Sequence, residues 1–328
     1  MIDKRIYNYK LMRSFASLFL CAVLLAAQDA PTIQVDVDVV NILFTVKDKR
    51  GGLIGNLNKD DFNLNEDGKK QEIKYFTRET DLPLTIGLLI DVSASQGNLI
   101  EIEKNAATRF FSEVLRPKDL AFLISFGEDS ELLQDYTSSP KLLRAGLEGL
   151  QVRSGVSGLH PGPVPTMSNP AGTVLYDAVY VASADQLRGQ VGRKVLVLIT
   201  DGEDQGSKYK IEKAIEAAQK ADTVIYGMYY VDRQFYSRGG LTFGGASDWA
   251  LRKLSEDTGG RVFHVDHKHT LDEAFKELQD EMRSQYAIGY TPSNSKKDGS
   301  FRKIEIQPSN HDWKVLARKG YYAMARER

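Results

Sequence analysis

The 328-residue sequence contains one cysteine, Cys21, so it forms neither an intrachain disulfide nor a cage of several thiolates around a metal. It also lacks an excess of either charge, because 43 basic residues stand against 44 acidic ones and the formal net charge is -1. This balance gives no reason to expect nucleic acid or an acidic membrane as a partner. The sequence contains no HExxH, GxSxG or phosphate-binding glycine motif, the signatures of three large classes of enzyme.

The N-terminal residues have the pattern of an export signal. Lys10 and Arg13 precede an apolar run from Phe15 to Ala27 that ends in small residues, and this order of charge and hydropathy is typical of secretory signals. The run is shorter than the ~20 residues that span a bilayer. We therefore predict a signal peptide over residues 1–27, with Met12 as an alternative start. The mature chain is then exported to the periplasm, the cell envelope or the medium, without a transmembrane span.

Short runs with the period of β-strands lie on both sides of a central region. Between Ile33 and Val39 apolar and polar residues alternate, as in a strand with one solvent-facing side. Asp67-Gly68 separates the apolar runs Phe62–Leu64 and Ile73–Phe76, which predicts a hairpin. Three further short runs close the sequence, at Tyr286–Tyr290, Phe301–Gln307 and Trp313–Ala317.

Longer apolar runs distinguish the central region. Such runs are typical of parallel strands that are buried on both faces. The four runs are Leu84–Ile90, Leu120–Phe126, Val195–Thr200 and Val224–Tyr230. Segments with helical apolar spacing separate them, such as the stripe that begins at Ile211. Alternating strands and helices predict an α/β fold, a doubly wound and mostly parallel sheet flanked by helices.

These patterns divide the chain into four parts. Residues 1–27 are the signal peptide, 28–82 an N-terminal β segment, 83–285 the α/β domain, and 286–328 a C-terminal β segment. We expect the two β segments to pair as a small β-sandwich into which the α/β domain is inserted. The alternative is two unrelated β pieces, but isolated hairpins are marginally stable in water, which favours pairing.

Oxygen-bearing side chains follow the first buried strand, in the sequence Asp91-Val92-Ser93-Ala94-Ser95. In a doubly wound sheet, ligands bind beyond the carboxyl ends of the strands, which is where these residues are expected. A carboxylate and two hydroxyls are hard donors that suit Mg²⁺, Ca²⁺ or Mn²⁺. The motif alone leaves an alternative open, since Ser93 and Ser95 could cap the following helix.

Two later elements match this motif. Asp201-Gly202 ends a second buried strand, and Thr173 stands before a predicted helix, Leu175–Leu187, which it could also simply cap. Together with the Asp91–Ser95 motif, and in the same order, these elements resemble the von Willebrand factor A family and its metal-ion-dependent adhesion site. The resemblance covers Pro83 to about Gln285, and it identifies residues 83–285 as a domain of that family.

The resemblance implies a site for one divalent cation, Mg²⁺ or alternatively Ca²⁺ or Mn²⁺. Five residues would form it: Asp91, Ser93, Ser95, Thr173 and Asp201. The hydroxyls would ligate directly, whereas the two aspartates would act mainly through water. One coordination position would stay open, and in this family an Asp or Glu carboxylate of a partner protein typically fills it.

Short phrases in the β flanks resemble a bacterial, exported subgroup known from acidobacteria and described only as related to von Willebrand factor A. Two of them are Glu66-Asp67-Gly68-Lys69 and Ile288-Gly289-Tyr290-Thr291-Pro292. The subgroup implies export and the presence of β flanks, but it supplies no defined ligand.

Two loops are expected to open on the metal face and to set the choice of partner. Residues 151–172 are rich in proline and glycine and run directly into Thr173. Residues 233–247 carry side chains of kinds that often anchor partners, namely Phe235, Tyr236, Arg238 and Phe243. An ordinary disordered loop is the alternative for both segments.

A histidine cluster, His264, His267 and His269, has spacing that could bind a transition metal. A solvated turn before the helix at Thr270 is the favoured interpretation.

The function expected from the sequence is metal-dependent, adhesion-type binding of another protein, without enzymatic activity. No pairing of a nucleophile with a base accompanies the oxygen-rich motif in the sequence. Two alternatives stay open. One is a metal-assisted hydrolase that uses Glu203 or Asp204 as its base. The other is a structural module of the cell envelope with an unused metal site.

Overall fold

The computed structural model describes residues 39–152, 172–232 and 247–324. The predicted signal peptide and the alternating residues 33–38 lie outside these ranges. Strands in chain order are β1 (Val40–Lys47), β2 (Phe62–Glu66), β3 (Lys69–Gln71), β4 (Tyr75–Glu79), β5 (Leu84–Asp91), β6 (Leu120–Phe126), β7 (Ser130–Thr137), β8 (Arg193–Thr200), β9 (Thr223–Tyr230), β10 (Val262–Val265), β11 (Gln285–Tyr290), β12 (Phe301–Pro308), β13 (Lys314–Ala317) and β14 (Gly320–Tyr322). Helices are α1 (Ile100–Val114), α2 (Pro140–Glu148), α3 (Leu175–Val181, continued as a π-helical turn over Ala182–Leu187), α4 (Ile211–Lys220), α5 (Trp249–Thr258) and α6 (Leu271–Met282).

The central sheet contains six strands in the order β10-β9-β8-β5-β6-β7. Its neighbouring strands are parallel except for the pair β6 and β7, which is antiparallel. Every residue of β5 is buried, as expected for a strand that is covered on both faces. The prediction of a doubly wound, mostly parallel sheet is therefore confirmed.

Two apolar cores lie on the two faces of this sheet. Helices α1, α2 and α6 pack over one face, and α3, α4 and α5 pack over the other. The residues of β5 divide between the cores, since Leu88 and Ile90 enter the first and Leu89 enters the second. Successive side chains of a strand point to opposite faces, so a continuous apolar run serves both layers of helices.

Gly87 marks the tightest packing of β5 against its neighbouring strands. A Cβ atom at this position would lie 2.3 Å from Phe122 Cζ and 2.6 Å from Leu196 Cδ2, and both of these side chains are fully buried. We expect Gly87→Ala to lower the free energy of unfolding by about 1–3 kcal/mol, because the core must shift to admit the methyl group. Denaturant unfolding measures the change.

Gly189→Ala is the matched control for this substitution. A Cβ atom at Gly189 meets no atom within 4 Å, so its effect should stay within about 0.5 kcal/mol. Unfolding curves for Gly87→Ala that coincide with those of the control would contradict the close packing of β5.

Strands from the two ends of the described chain pair with each other. One antiparallel sheet has the order β13-β1-β11-β4 and the other has the order β14-β12-β2-β3. Apolar side chains from both sheets share one core, with Phe44 and Ile288 from the first and Leu64 and Ile306 from the second. The expected β-sandwich of N- and C-terminal strands is thus present, and the α/β domain is inserted into it between β4 and β11.

The predicted hairpin is correct in its turn and wrong in its second strand. Asp67 and Gly68 both have positive φ, 48° and 77°, as a two-residue type I′ turn requires. The returning strand is β3, however, and β4 pairs with β11 in the other sheet. Ile73 and Phe76 still pack on the same core, because the chain crosses from one sheet to the other between them. Apolar residues facing one core therefore did not imply membership of one sheet.

Candidate metal centre

The two aspartates of the predicted site lie at the same edge of the central sheet. Strands β5 and β8 are parallel neighbours, with Ile90 opposite Ile199, so their carboxyl ends coincide. Asp91 is the last residue of β5, and Asp201 follows β8 directly. Both side chains are buried, with 0% and 1% of each residue exposed. The order of the strands thus brings together two residues that are distant in sequence.

Short hydrogen bonds hold Asp91 in place. Its Oδ1 accepts a hydrogen bond from the Ser93 backbone N–H at 2.9 Å, and its Oδ2 accepts one from the Thr200 hydroxyl at 2.6 Å. The Ser93 and Ser95 hydroxyl oxygens lie 3.0 Å apart, in a 3₁₀ turn over Ala94–Gln96. The Ser93 side chain makes no capping bond to this turn, and α1 begins after Leu99 without a side-chain cap. The helix-capping alternative therefore does not account for the two serines.

Thr173 is fixed at the same edge by its backbone neighbours. Its carbonyl accepts a hydrogen bond from the Gln205 N–H at 2.9 Å, and the next residue, Val174, donates to the Gly127 carbonyl at 2.8 Å. Gln205 follows β8 and Gly127 follows β6, so Thr173 lies between loops at the carboxyl ends of two strands. The residue before α3 is Val174, which makes Thr173 part of this edge and not the cap of the helix.

The electrostatics of this edge favour a positively charged ligand. Burial and, after it, the nearby Asp201 carboxylate raise the pKa of Asp91 to about 7, against the hydrogen bonds from Ser93 and Thr200, which lower it. Burial and Asp201 also raise the pKa of Glu203. Buried carboxylates that repel one another are stabilised by a bound cation. The two carboxylates and three hydroxyls at this edge are hard oxygen donors of the kind that suits Mg²⁺, Ca²⁺ or Mn²⁺.

The composition of this donor set is mostly neutral. Within residues 39–152, 172–232 and 247–324, no group of three or more His, Cys, Asp or Glu side chains is placed to hold a metal. Hydroxyls thus make up three of the five candidate donor side chains at this edge. Neutral ligands leave more of the cation's charge available to an incoming anion.

The other predicted site residues fall outside this arrangement. Phe235, Tyr236, Arg238 and Phe243 lie outside the described residues, as does most of the loop 151–172. Of the histidines, His264 Nε2 lies 2.9 Å from Asp248 Oδ2, and His269 Nδ1 lies 3.7 Å from Asp266 Oδ1. These two histidines therefore contact different carboxylates. Among the described helices, none is long and apolar enough to cross a membrane.

Sequence reasoning missed two residues near the site. Thr200 bonds to Asp91 and accepts a hydrogen bond from the Gly202 N–H at 3.1 Å, so its hydroxyl links the two strand ends. Glu103 is fully buried on α1, and both of its carboxylate oxygens lack a hydrogen-bond partner in the part of the chain that the structure describes. Burial, followed by Asp91 and Asp201, holds the pKa of Glu103 well above its ordinary value.

Signals for both residues were present in the sequence. Thr200 is the residue directly before the strand-ending aspartate. Glu103 occupies the apolar face of α1, three residues after Ile100 and seven before Phe110. An acidic residue at an apolar helix position is unusual unless it has a partner or a role.

Comparison with known proteins supports the assignment of the domain. Residues 86–203 match the family model of the von Willebrand factor type A domain. The match begins inside β5 and ends just after Asp201, so it includes both aspartates, both serines and Thr173. A comparison with curated protein sequences gives no match.

Several solved structures are similar to the chain at low sequence identity. An aerotolerance-related membrane protein from Bacteroides fragilis is 16% identical, with 61% of this chain and 98% of that chain covered and a TM-score of 0.45. BatB from Bacteroides thetaiotaomicron is 18% identical, with 61% and 100% covered and a TM-score of 0.43. Proximal thread matrix protein 1 from the mussel byssus, with a zinc-occupied MIDAS motif, is 14% identical, with 66% and 49% covered and a TM-score of 0.46.

Proposed function

We infer from the von Willebrand factor type A domain at residues 86–203 that the protein binds another protein through one divalent cation. The residues that would hold this cation are Asp91, Ser93, Ser95, Thr173 and Asp201. Mg²⁺ is the expected ion, with Ca²⁺ and Mn²⁺ as alternatives. The proposed role is that of an exported, adhesion-type module of the periplasm, the cell envelope or the medium, without enzymatic activity.

The observation that carries this proposal is the arrangement around Asp91. The Asp91 carboxylate is fully buried, and its hydrogen bonds compensate only in part for the hydration that it has lost. Beside it, the Ser93 and Ser95 hydroxyl oxygens lie 3.0 Å apart. Thr200 and the Ser93 N–H fix the orientation of the carboxylate, so the hydroxyls and the acid are held ready for a common ligand. Such preorganisation at the end of a strand supports the binding of a hard cation.

The partner is proposed to present an aspartate or a glutamate. When bound, the cation would offer an electrophilic coordination position to that carboxylate. Asp91 and Asp201 would hold the hydroxyls and ordered waters around this position, and the buried edge would limit competition from solvent. Direct contacts of the surrounding loops would then decide which acidic partner is accepted.

The cation site is tested by titrating Mg²⁺ into the protein in a calorimeter. We expect Asp91→Asn combined with Asp201→Asn to weaken Mg²⁺ binding by about 10–100-fold or more, because the groups that organise the hydroxyls lose their charge. Asp272→Asn combined with Asp312→Asn is the matched control, since both of these aspartates are exposed and paired with surface cations. Equal affinities in the two double variants would contradict the proposed site.

Partner capture supplies a second readout for the same proposal. Protein immobilised with Mg²⁺ should retain proteins from an envelope extract, release them into EDTA, and recapture them when Mg²⁺ is returned. The Asp91/Asp201 variant should fail to recapture them, whereas the control variant should succeed. Capture that persists in EDTA would favour a structural module whose cation is not used for binding.

A further inference from the structure

A cavity of about 260 Å³ lies on the side of the α/β domain opposite the metal centre. Arg193, the first residue of β8, and Thr223, the first residue of β9, line it at the amino ends of these strands. The remaining wall includes Asn41 and Leu43 from β1 and Arg318, which follows β13. The cavity therefore lies between the β-sandwich and the inserted domain, a common position for ligand sites.

Arg193 brings a buried charge to this cavity with neutral hydrogen-bond partners. Only 2% of the residue is exposed, and its Nη1 donates to the Glu79 and Met282 carbonyls and to Gln285 Oε1. Its Nε and Nη2 atoms have no hydrogen-bond partner among the described residues. Because these two atoms are also closed to solvent, Arg193 contributes its charge from behind the cavity wall and offers no free donor to the cavity.

Arg318 is the second cation of the cavity, and it has one carboxylate as its partner. Its Nη1 donates to Asp222 Oδ1, and its Nη2 donates to the Asn41 carbonyl at 2.8 Å. The Arg318 side chain is 14% exposed, whereas that of Asp222 is 65% exposed. Asp222 therefore reaches Arg318 from the solvent side, where another carboxylate can replace it.

Charges of both signs surround the cavity, with four cations, Arg193, Lys194, Arg283 and Arg318, against three acids, Glu79, Asp119 and Asp222. Burial and the nearby Arg283 guanidinium lower the pKa of Arg193 to about 10, against Glu79 and Asp119, which raise it. Burial lowers the pKa of Lys194, and Arg318 acts in the same direction, whereas Asp222 raises it. Cations that disfavour one another's charge stabilise an anion placed among them.

We propose that this cavity binds a small organic carboxylate, with its charge on Arg318 in place of Asp222 and with the buried charge of Arg193 nearby. The guanidinium group of Arg318 gives a carboxylate a charge-assisted hydrogen bond through Nη1, the atom that now contacts Asp222. Leu43, Leu82 and Val224 line the same cavity and provide contacts for a short hydrocarbon body. This apolar wall favours an organic acid over inorganic phosphate, which has no surface to bury there.

Three probe ligands test the proposal by calorimetry in EDTA, where the metal centre takes no part. Hexanoate should bind, whereas hexanamide, which has the same shape without the charge, and inorganic phosphate, which has charge without a hydrocarbon body, should bind at least tenfold more weakly. Equal binding of hexanamide would show that the arginines are not used. Equal binding of phosphate would overturn the organic class of ligand, and no binding of hexanoate would overturn the site.

Substitutions locate the binding in this cavity. Arg318→Gln should weaken hexanoate binding by about tenfold or more, because a charge-assisted hydrogen bond is lost. Asp222→Asn should strengthen it by about threefold, because the competing carboxylate is removed while Asn tolerates the positive φ of 53° at this position. If the ion pair between Asp222 and Arg318 were purely structural, Asp222→Asn would not bind hexanoate more tightly. An Asp222→Asn variant without a gain of affinity would therefore overturn the role of Arg318.

Arg109→Gln provides the matched control for the loss of one arginine. Arg109 lies on α1 and pairs with the exposed Asp272 at 2.7 Å, away from the cavity. This variant should bind hexanoate as the unmodified protein does. Thermal unfolding of each variant without ligand identifies a folding defect, and in that case Asp222→Asn, which removes no buried contact, still decides the outcome.

Discussion

Replacing Glu281 by alanine is expected to lower the free energy of unfolding by about 3–5 kcal/mol. The residue lies on α6 and is fully buried, and its Oε2 atom accepts hydrogen bonds from Lys47 Nζ and from Arg261 Nε, both at 2.9 Å. Removing the carboxylate takes away the partner of Lys47, whose side chain is 12% exposed, and leaves Arg261 with only the exposed Glu277. A buried charge that loses its partner is among the costliest defects that a substitution introduces. Urea unfolding followed by circular dichroism measures the loss.

Glu277→Ala is a stringent control, because Glu277 contacts the same arginine. Its carboxylate lies 2.8 Å from Arg261 Nη2, but its side chain is 60% exposed. The expected loss for this variant is therefore below about 1 kcal/mol. If Glu277→Ala and Glu281→Ala lowered the free energy of unfolding by similar amounts, burial of Glu281 would not strengthen its ion pairs. The expected loss of about 3–5 kcal/mol for Glu281→Ala would then be wrong.

The contacts of Glu281 also connect the two parts of the fold. Lys47 ends β1 of the sandwich, whereas Glu281 and Arg261 belong to the inserted domain. Arg193 extends the same connection through Met282 and Gln285, at the point where the chain leaves α6 for β11. We therefore expect the sandwich and the inserted domain to unfold in one transition in the unmodified protein.

Residues whose role follows from local pattern were predictable from the sequence. The buried strands β5 and β8 were visible as apolar runs, and once they are parallel neighbours their ends place Asp91 and Asp201 together. The same reasoning anticipated the pairing of terminal strands, because the short runs at both ends could not be stable alone.

Residues whose role depends on distant partners were not predictable in this way. Glu281 is one of several acids along α6, and nothing in its neighbours identifies Lys47, 234 positions away, as its partner. The prediction of the second strand of the hairpin was wrong for a related reason. Apolar residues at Ile73 and Phe76 indicate that a core is near, but they do not specify which of two sheets supplies the neighbouring strand.

Glu103 is partly predictable from the sequence and partly not, and replacing it is expected to have the second large effect on stability. Its position on the apolar face of α1 was visible in the sequence, but its proximity to Asp91 and Asp201 follows only from the fold. Replacing Glu103 by methionine, which is similar in length, should raise the free energy of unfolding at neutral pH by about 1–4 kcal/mol. The substitution removes two buried oxygens that lack hydrogen-bond partners among the described residues.

The size of this stabilisation should depend on pH in a definite direction. Burial and the two aspartates hold the pKa of Glu103 in the folded protein well above its ordinary value, whereas in the unfolded chain the group titrates near about 4.3. Below that pH both states carry the proton and the group makes no pH-dependent contribution. As the pH rises towards the folded pKa, the unfolded state loses its proton first, so the unmodified protein loses stability that the methionine variant retains.

The measurement is therefore a comparison of unfolding free energies at pH 5 and pH 8, in EDTA so that no cation compensates the charge. The advantage of Glu103→Met over the unmodified protein should be larger at pH 8. Glu101→Met is the control on the same helix, because Glu101 is 74% exposed, and its effect should stay within about 0.5 kcal/mol at both values of pH. An advantage that shrinks as the pH rises would show that Glu103 is ionised and compensated in the folded protein. A pH-independent advantage would show that its packing, and not its proton, determines the cost of burying an acid near Asp91 and Asp201.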